Sequence, residues 1–340
     1  MKISDIGESG IIEIFRKNFI MTSNIVMGVN TEKGVYNDAG VIKLDETNLL
    51  IVTTDMIGLK THIPDIASPE QVGKKAITVN ISDLAAMGAK PIGVVMSVGV
   101  PAFINISYLE KVAVGMGEAA KKYDTCVFGG DVNKTDDLIL AGTALGITTE
   151  DKLFTRNNAE VGDIVCVTGP LGDSAAAYYA WKNQLELPLD VKKRLFPRFL
   201  EPEARIKESL KLRDLHIVSS CGDISDGLGW ELYKTGQASG VGFLIYEENI
   251  PINKELFYVA NKLEIDPMDM VLYHGEDFEL LITIKREKWN EYGKKMHEFG
   301  VKLYRIGEVC DMKSGNRLIR KDNTESIIKN LGYDQFIKDN

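Results

Sequence analysis

Cysteine is scarce in this 340-residue chain, and the four present, Cys126, Cys166, Cys221 and Cys310, stand far apart with no CxxC pair. That spacing excludes a disulfide framework and a zinc ligand set, and points to free thiols in a reducing compartment. Long apolar runs are missing too: nothing approaches the roughly 18 consecutive apolar residues of a membrane span. The opening residues, MKISDIGESG, lack the apolar core of a signal peptide, so no membrane partner and a cytoplasmic location are expected. Positive charge is in deficit, with 40 Lys and Arg against 49 Asp and Glu, a formal net charge of −9. Such a balance argues against a general nucleic-acid binder, which needs a basic surface.

The familiar nucleotide and hydrolase signatures are also absent. There is no GxxxxGK[ST] phosphate loop, no protein-kinase motif set and no Gly-x-Ser-x-Gly elbow. Gly115-Met116-Gly117 sits inside a helical pattern and reads as close helix packing. The four histidines, His62, His216, His274 and His297, show no zinc-ligand spacing. His274 precedes Gly275-Glu276-Asp277 and reads either as a site residue or as an ordinary loop histidine.

What remains is an ordinary globular composition, 44% hydrophobic and 26% charged. The length suits two domains, 1–150 and 151–340, each able to bury its own core. Residues 24–34 read as a loop and 49–54 (LLIVTT) as a buried strand ending at Asp55. A helix over 68–87 has Ser68 as its N-cap, Pro69 in its first turn and Gly88 as its stop. A strand at 92–98, a helix at 107–122 and strands at 126–128 and 138–147 complete an alternating α/β first half. Residues 148–162 read as a polar linker. The second half runs through strands at 164–168, 216–219, 241–246 and 279–284. Its helices fall near 174–184, 203–212, 227–238 and 254–263, giving an α+β pattern.

The chemistry-bearing feature is a set of aspartates at turns and strand ends. They are Asp38 (NDAG), Asp55 (TTDM), Asp83 (ISDLAAMGA), Asp131 (FGGDVNK), and Asp223 with Asp226 (CGDISDGLG), followed by the pair Glu276 and Asp277 (HGEDFELL). Singly, each has a plain reading as a helix cap, an Asx turn, a tight turn or a polar helix position. Together they describe a carboxylate cluster, which is costly unless cations neutralise it. Mg²⁺ suits hard oxygen ligands and bridges to phosphate oxygens. Adjacent glycines let the backbone approach a phosphate.

Taken in order, IGESGIIEIF, NDAGVI, TTDM, VNISDLAAMGAKP, FGGD, VTGPLGDSAA, DISDGL and GEDFELL resemble the thiamine-monophosphate kinase family. That family lies within the superfamily of aminoimidazole ribonucleotide synthetase and selenophosphate synthetase. The resemblance runs from about Ile6 to Phe336. It implies an N-terminal α/β domain whose strands form a barrel across a homodimer, and a C-terminal α+β domain closing over ATP. It also implies transfer of the γ-phosphoryl group of ATP to thiamine monophosphate. By position, Asp38, Thr54, Asp55, Asp83, Asp131, Asp223 and Asp226 match metal positions. Gly129, Gly130, Lys134 and Ser225 join Thr54 and Asp131 around the nucleotide. Asp55, Asp226 and Arg156 fall in the catalytic role, Arg156 at a basic position near the phosphates. His62, Glu276, Asp277 and Tyr333 fall to the acceptor.

Several positions depart from the family pattern. Asn37 stands where a carboxylate is usual, leaving a carbonyl oxygen as a neutral ligand. Residues 59–63 (LKTHI) replace a Glu-Gly-x-His-Phe run, and Lys134 keeps a charge without the bidentate geometry of arginine. These departures sustain an alternative reading: an ATP-dependent relative with another small acceptor, or a non-catalytic ATP-binding paralogue.

Overall fold

The β-branched runs and capped helices build two sheets with one long helix between them. The structure, a computed structural model, describes residues 2, 5, 7–17, 19, 22–28 and 37–333. Ile6, most of the expected loop at 24–34, Tyr36 and Phe336 fall outside the described residues.

The first half contains α1 (Gly7–Arg16), β1 (Ile25–Met27), β2 (Gly40–Lys43), β3 (Asn48–Gly58), α2 (Leu59–His62), α3 (Pro69–Ala86), β4 (Lys90–Val100), α4 (Ile106–Lys122), β5 (Val127–Lys134) and β6 (Ile139–Thr149). Its sheet has the order β1-β2-β3-β6-β4-β5, with β4 and β5 parallel at one edge. The α3 N-terminus is as expected: Ser68 and Gln71 form a reciprocal capping box ahead of Pro69. Most of α3 is buried, because it lies on the sheet and is covered by α4 and by the second half of the chain.

The second half contains β7 (Ile164–Val167), α5 (Asp173–Lys182), α6 (Leu189–Leu200), α7 (Ile206–Asp214), β8 (Val218–Asp223), α8 (Leu228–Ser239), β9 (Val241–Tyr246), α9 (Lys254–Leu263), α10 (Pro267–Tyr273), β10 (Leu280–Ile284), α11 (Arg286–Tyr292), β11 (Tyr304–Asp311), β12 (Asn316–Ile319) and β13 (Glu325–Ile327). The sheet order is β13-β12-β9-β11-β7-β10-β8. Two apolar cores result, and one of them joins the first sheet and α3 to β8, β10 and α7.

Several elements differ from expectation. Strand β3 does not stop at Asp55 but runs on to Gly58, because β6 pairs with it along that whole length. Gly129-Gly130-Asp131 is strand rather than turn, since β5 pairs with β4 through Lys134. Helices α6 and α10 and the C-terminal hairpin strands β12 and β13 add to the expected elements. The expected linker is strand as far as Thr149, and its Arg156 is 1% exposed. In the single chain the first sheet is open, with β1 and β5 at its edges.

Candidate active site

Strand alternation aims Thr53 and Asp55 at α3 and sends Thr54 to the opposite face of the sheet. Thr53 Oγ1 donates to Asp83 Oδ2 at 2.5 Å, and the Asp55 N–H donates to Asn80 Oδ1 at 3.0 Å. Asp83 sits in the last turn of α3, and its neighbour Ser82 donates to Asp223 Oδ2 at 2.7 Å, where β8 ends. Asp38 arrives just ahead of β2. Carboxylate oxygens of Asp38, Asp83 and Asp223 thereby lie within 4.8 Å of one another.

Cations stand behind this cluster. Arg156 Nη2 lies 2.5 Å from Asp38 Oδ1, while its Nε and Nη2 grip Glu231 at 2.5 and 2.7 Å. Glu231, on α8, also meets Lys234 at 3.0 Å. The compensation is incomplete. Burial pushes the Asp38 carboxyl up to about 7, with Asp223 adding to the effect and Arg156 opposing it. Burial, then the charges of Asp226 and Asp38, raise Asp55 to about 6; burial raises Asp226 to about 6 against the pull of Lys234. Asp83 and Asp223 are raised by burial as well. Asp38 Oδ2 is buried without a hydrogen-bond partner. Hard oxygens, suppressed charges and that orphaned atom together fit a divalent cation such as Mg²⁺.

Asp55, Asp83, Asp223 and Asp226 line one end of a cavity of about 550 Å³ between the two halves. Aromatic rings line the other end. Tyr178 lies 4.8 Å from His274 and 6.1 Å from both Trp181 and Phe199, and His274 lies 5.8 Å from Tyr333. Between the ends, Lys75 is buried against Glu276 at 2.5 Å. The loops that carry Asp226 and Glu276 cross closely. A Cβ on Gly275 would come within 2.0 Å of the Ser225 carbonyl, and Gly227 has φ +100 with no room for one. Both positions therefore demand glycine.

Residues 36–148 match the family model "AIR synthase related protein, N-terminal domain", and residues 160–319 match its C-terminal counterpart. The thiamine-monophosphate kinase of Pyrococcus abyssi is 39% identical over 284 residues, 84% of each chain. That of Methanocaldococcus jannaschii is 35% identical over 319 residues, covering 89% of this chain and 93% of its own. The chain belongs to the thiamine-monophosphate kinase family. It is an ATP-dependent phosphotransferase of that family. The fold agrees: the solved structure "AaThiL complexed with AMPPCP and TMP" superposes with a TM-score of 0.82 at 28% identity, over 98% of each chain.

The cavity gathers Asp55, His62, Asp83, Asp223, Ser225, Asp226, Glu276 and Tyr333 from the positions singled out in the sequence. Asp38 stands behind it, within reach of Asp83 and Asp223. Other positions lie elsewhere. Thr54 faces away from α3 and donates to the Gly142 carbonyl at 2.7 Å, leaving Thr53 to hold Asp83. Gly129, Gly130, Asp131 and Lys134 lie on the exposed edge strand β5, where Gly130 admits the Met96 carbonyl of β4 rather than a phosphate. Arg156 is locked into the network behind the carboxylates instead of lining the cavity. Asp277 is buried on the Gly172 N–H at 3.0 Å. Asn37 Oδ1 accepts the Arg156 N–H at 2.8 Å, so it serves the scaffold rather than a metal.

Lys75, Glu231, Lys234 and the rings of Tyr178, Trp181 and Phe199 have no counterpart among the residues singled out in the sequence, whereas Tyr333 and, in one of its two readings, His274 do. Lys75, Val79 and Asp83 all line the cavity at i, i+4 and i+8 of α3, a spacing that could have exposed Lys75. Glu231 and Lys234, an i,i+3 pair one to two turns after Asp226, carried no motif signal. The aromatic wall comes from α5, α6 and two loops far apart in sequence, which no local pattern brings together.

Proposed function

We propose that this protein transfers the γ-phosphoryl group of ATP directly to the phosphate of thiamine monophosphate, giving thiamine diphosphate and ADP. The observation that carries the reading is the two-ended cavity: carboxylates suited to cation-bound phosphates at one end, aromatic rings suited to a heterocycle at the other. In this reading Asp38, Asp83 and Asp223, with Asp55 and Asp226, hold Mg²⁺ and the phosphates bound to it. Mg²⁺ bound there would neutralise charge on the phosphate oxygens as the γ-phosphoryl group is transferred. The protein's own part is alignment. Arg156 and Lys234 hold the carboxylates in place, Thr53 and Ser82 orient Asp83 and Asp223, and the crossed loops at Ser225 and Gly275 fix the distance between the two ends. An acceptor phosphate oxygen is already ionised at neutral pH, so in-line attack needs positioning rather than a general base.

The exposed edge of β5 supports a homodimer. Val127, Phe128 and Val132 are open to solvent there beside Gly129-Gly130-Asp131 and Lys134. Unpaired edge strands with apolar side chains invite a second copy, and covering this edge would give those residues a partner surface. The test of function is an assay with ATP, Mg²⁺ and thiamine monophosphate, with thiamine diphosphate identified by mass. Product that requires all three components supports the reading. ATP binding without that product would turn the search to another acceptor.

A further inference from the structure

One hydrogen bond joins the two halves of the protein at the aromatic end of the cavity. Trp181 Nε1 donates to Asp65 Oδ1 at 3.0 Å, tying the last turn of α5 to the loop between α2 and α3. The two partners are held unequally. Asp65 follows the buried Pro64 in a turn that the Ala67 N–H closes on the Pro64 carbonyl at 3.0 Å. Ser68 then caps α3, the helix that carries Lys75, Val79 and Asp83 into the cavity. Trp181 is held less firmly. It is half-buried and lies just ahead of Asn183, where α5 ends. Its ring lies 6.1 Å from Tyr178 and 6.3 Å from Phe199, tilted by 49° and 45°. Neither neighbour stacks flat against it, and the torsion that turns an indole about its stem is broad.

An indole N–H takes a hydrogen-bond partner when its ring is drawn out of water, and a carboxylate oxygen makes the stronger kind of bond. Asp65 therefore fixes the indole plane that rotamer preference and ring packing leave loose. Ile63, Pro64 and Trp181 line the same cavity, so the bond ties one of its walls to another. Building on the function proposed above, we propose that Asp65 is a positioning residue: it holds Trp181 as a wall for the acceptor's ring and clasps the two halves of the protein around that ring. The ligand class this serves is a planar heteroaromatic phosphate. Because the Asp65 loop runs directly into α3, the wall is set relative to Asp83 in the last turn of the same helix. The clasp governs acceptor affinity and leaves nucleotide affinity alone.

The test measures kcat and KM in the wild type, Asp65→Ala, Asp65→Asn, Trp181→Phe and the double variant D65A/W181F. Asp65→Ala is expected to raise KM for thiamine monophosphate about fivefold or more, with kcat and the KM for ATP changed less than about threefold. Asp65→Asn keeps an acceptor oxygen and should recover most of the loss. Trp181→Phe keeps a ring without a donor, so adding Asp65→Ala to it should raise KM less than about twofold further. Losses that multiply, an unchanged KM in Asp65→Ala, or an Asn variant as poor as the Ala variant would each overturn the proposal. A fall in kcat at constant KM would overturn it as well. The bond itself is read without turnover. The chain has three tryptophans, and Asp65→Ala should move the indole N–H signal that Trp181→Phe removes from the proton–nitrogen NMR spectrum; an unmoved signal refutes the clasp. If the wild type makes no thiamine diphosphate, the functional reading fails on its own. Calorimetry then decides the clasp: thiamine monophosphate bound about fivefold or more weakly by Asp65→Ala sustains it, and equal affinities, or no binding, refute it.

Discussion

Arg156→Met separates a scaffold role from a catalytic one. In the wild type the guanidinium is 1% exposed and bridges Glu231 (2.5 and 2.7 Å) to Asp38 (2.5 Å). Methionine fills much of the same volume and keeps the backbone N–H that Asn37 accepts. It leaves Asp38 without its ion-pair partner and with the weaker pull of Lys234, while Glu231 keeps Lys234 at 3.0 Å. Removing one partner of a buried ion pair costs about 3–5 kcal/mol, and the surviving lysine places this case near the low end. At roughly 2–4 °C per kcal/mol, a loss of about 3 kcal/mol lowers Tm by about 6–12 °C. Urea titration and thermal scans in EDTA read this directly. Adding Mg²⁺ should raise Tm more in the variant than in the wild type, because the carboxylates it would meet are less compensated. A stability loss below about 1 kcal/mol, with turnover abolished, would refute the argument and place the guanidinium on a phosphate.

Three further outcomes follow from the same geometry. Asp55→Asn should lower kcat by about 100-fold or more and yet raise the Tm of the metal-free protein above pH 7, since it removes a charge that its neighbours oppose; a fall in Tm would contradict the electrostatic account. Asp55 and Asp226 titrate near 6 and Asp38 near 7, above their unfolded range near 3.9, so the folded state holds more protons between about pH 4 and 7. Stability without metal therefore falls as pH rises through that window, and the Tm gain from Mg²⁺ should be larger at pH 7.5 than at pH 5.5 in paired thermal scans. Thr53→Val should lower kcat/KM about tenfold by freeing Asp83, whereas Thr54→Val, one residue on and facing the other way, should change it less than threefold; the reverse order in steady-state assays would place the wrong face of β3 in the site.

Sequence reading succeeded where a signal is local and failed where it depends on an element's neighbours. Ser68, Gln71 and Pro69 specify a helix start within four residues, so α3 was legible. Asp83 and Asp226 stood out because small residues surround them, and the cavity contains both. The orientation of Thr54 is a different matter. A strand presents alternate residues to opposite faces, and TTDM alone does not say which threonine faces α3 until the pairing of β3 with β6 fixes it. Arg156 lies deeper than its polar sequence surroundings suggest, for a related reason. A polar linker suggests exposure, and only the position of Glu231 on α8, 75 residues away, turns that arginine inward. Asn37 shows how such a contact changes a functional argument. Read as a weakened metal ligand, it supported a non-catalytic paralogue; bonded to the Arg156 backbone it holds the arginine that steadies Asp38, so that support disappears. A departure from a family motif bears on activity only through the contacts its side chain makes, and here those contacts serve the carboxylate cluster.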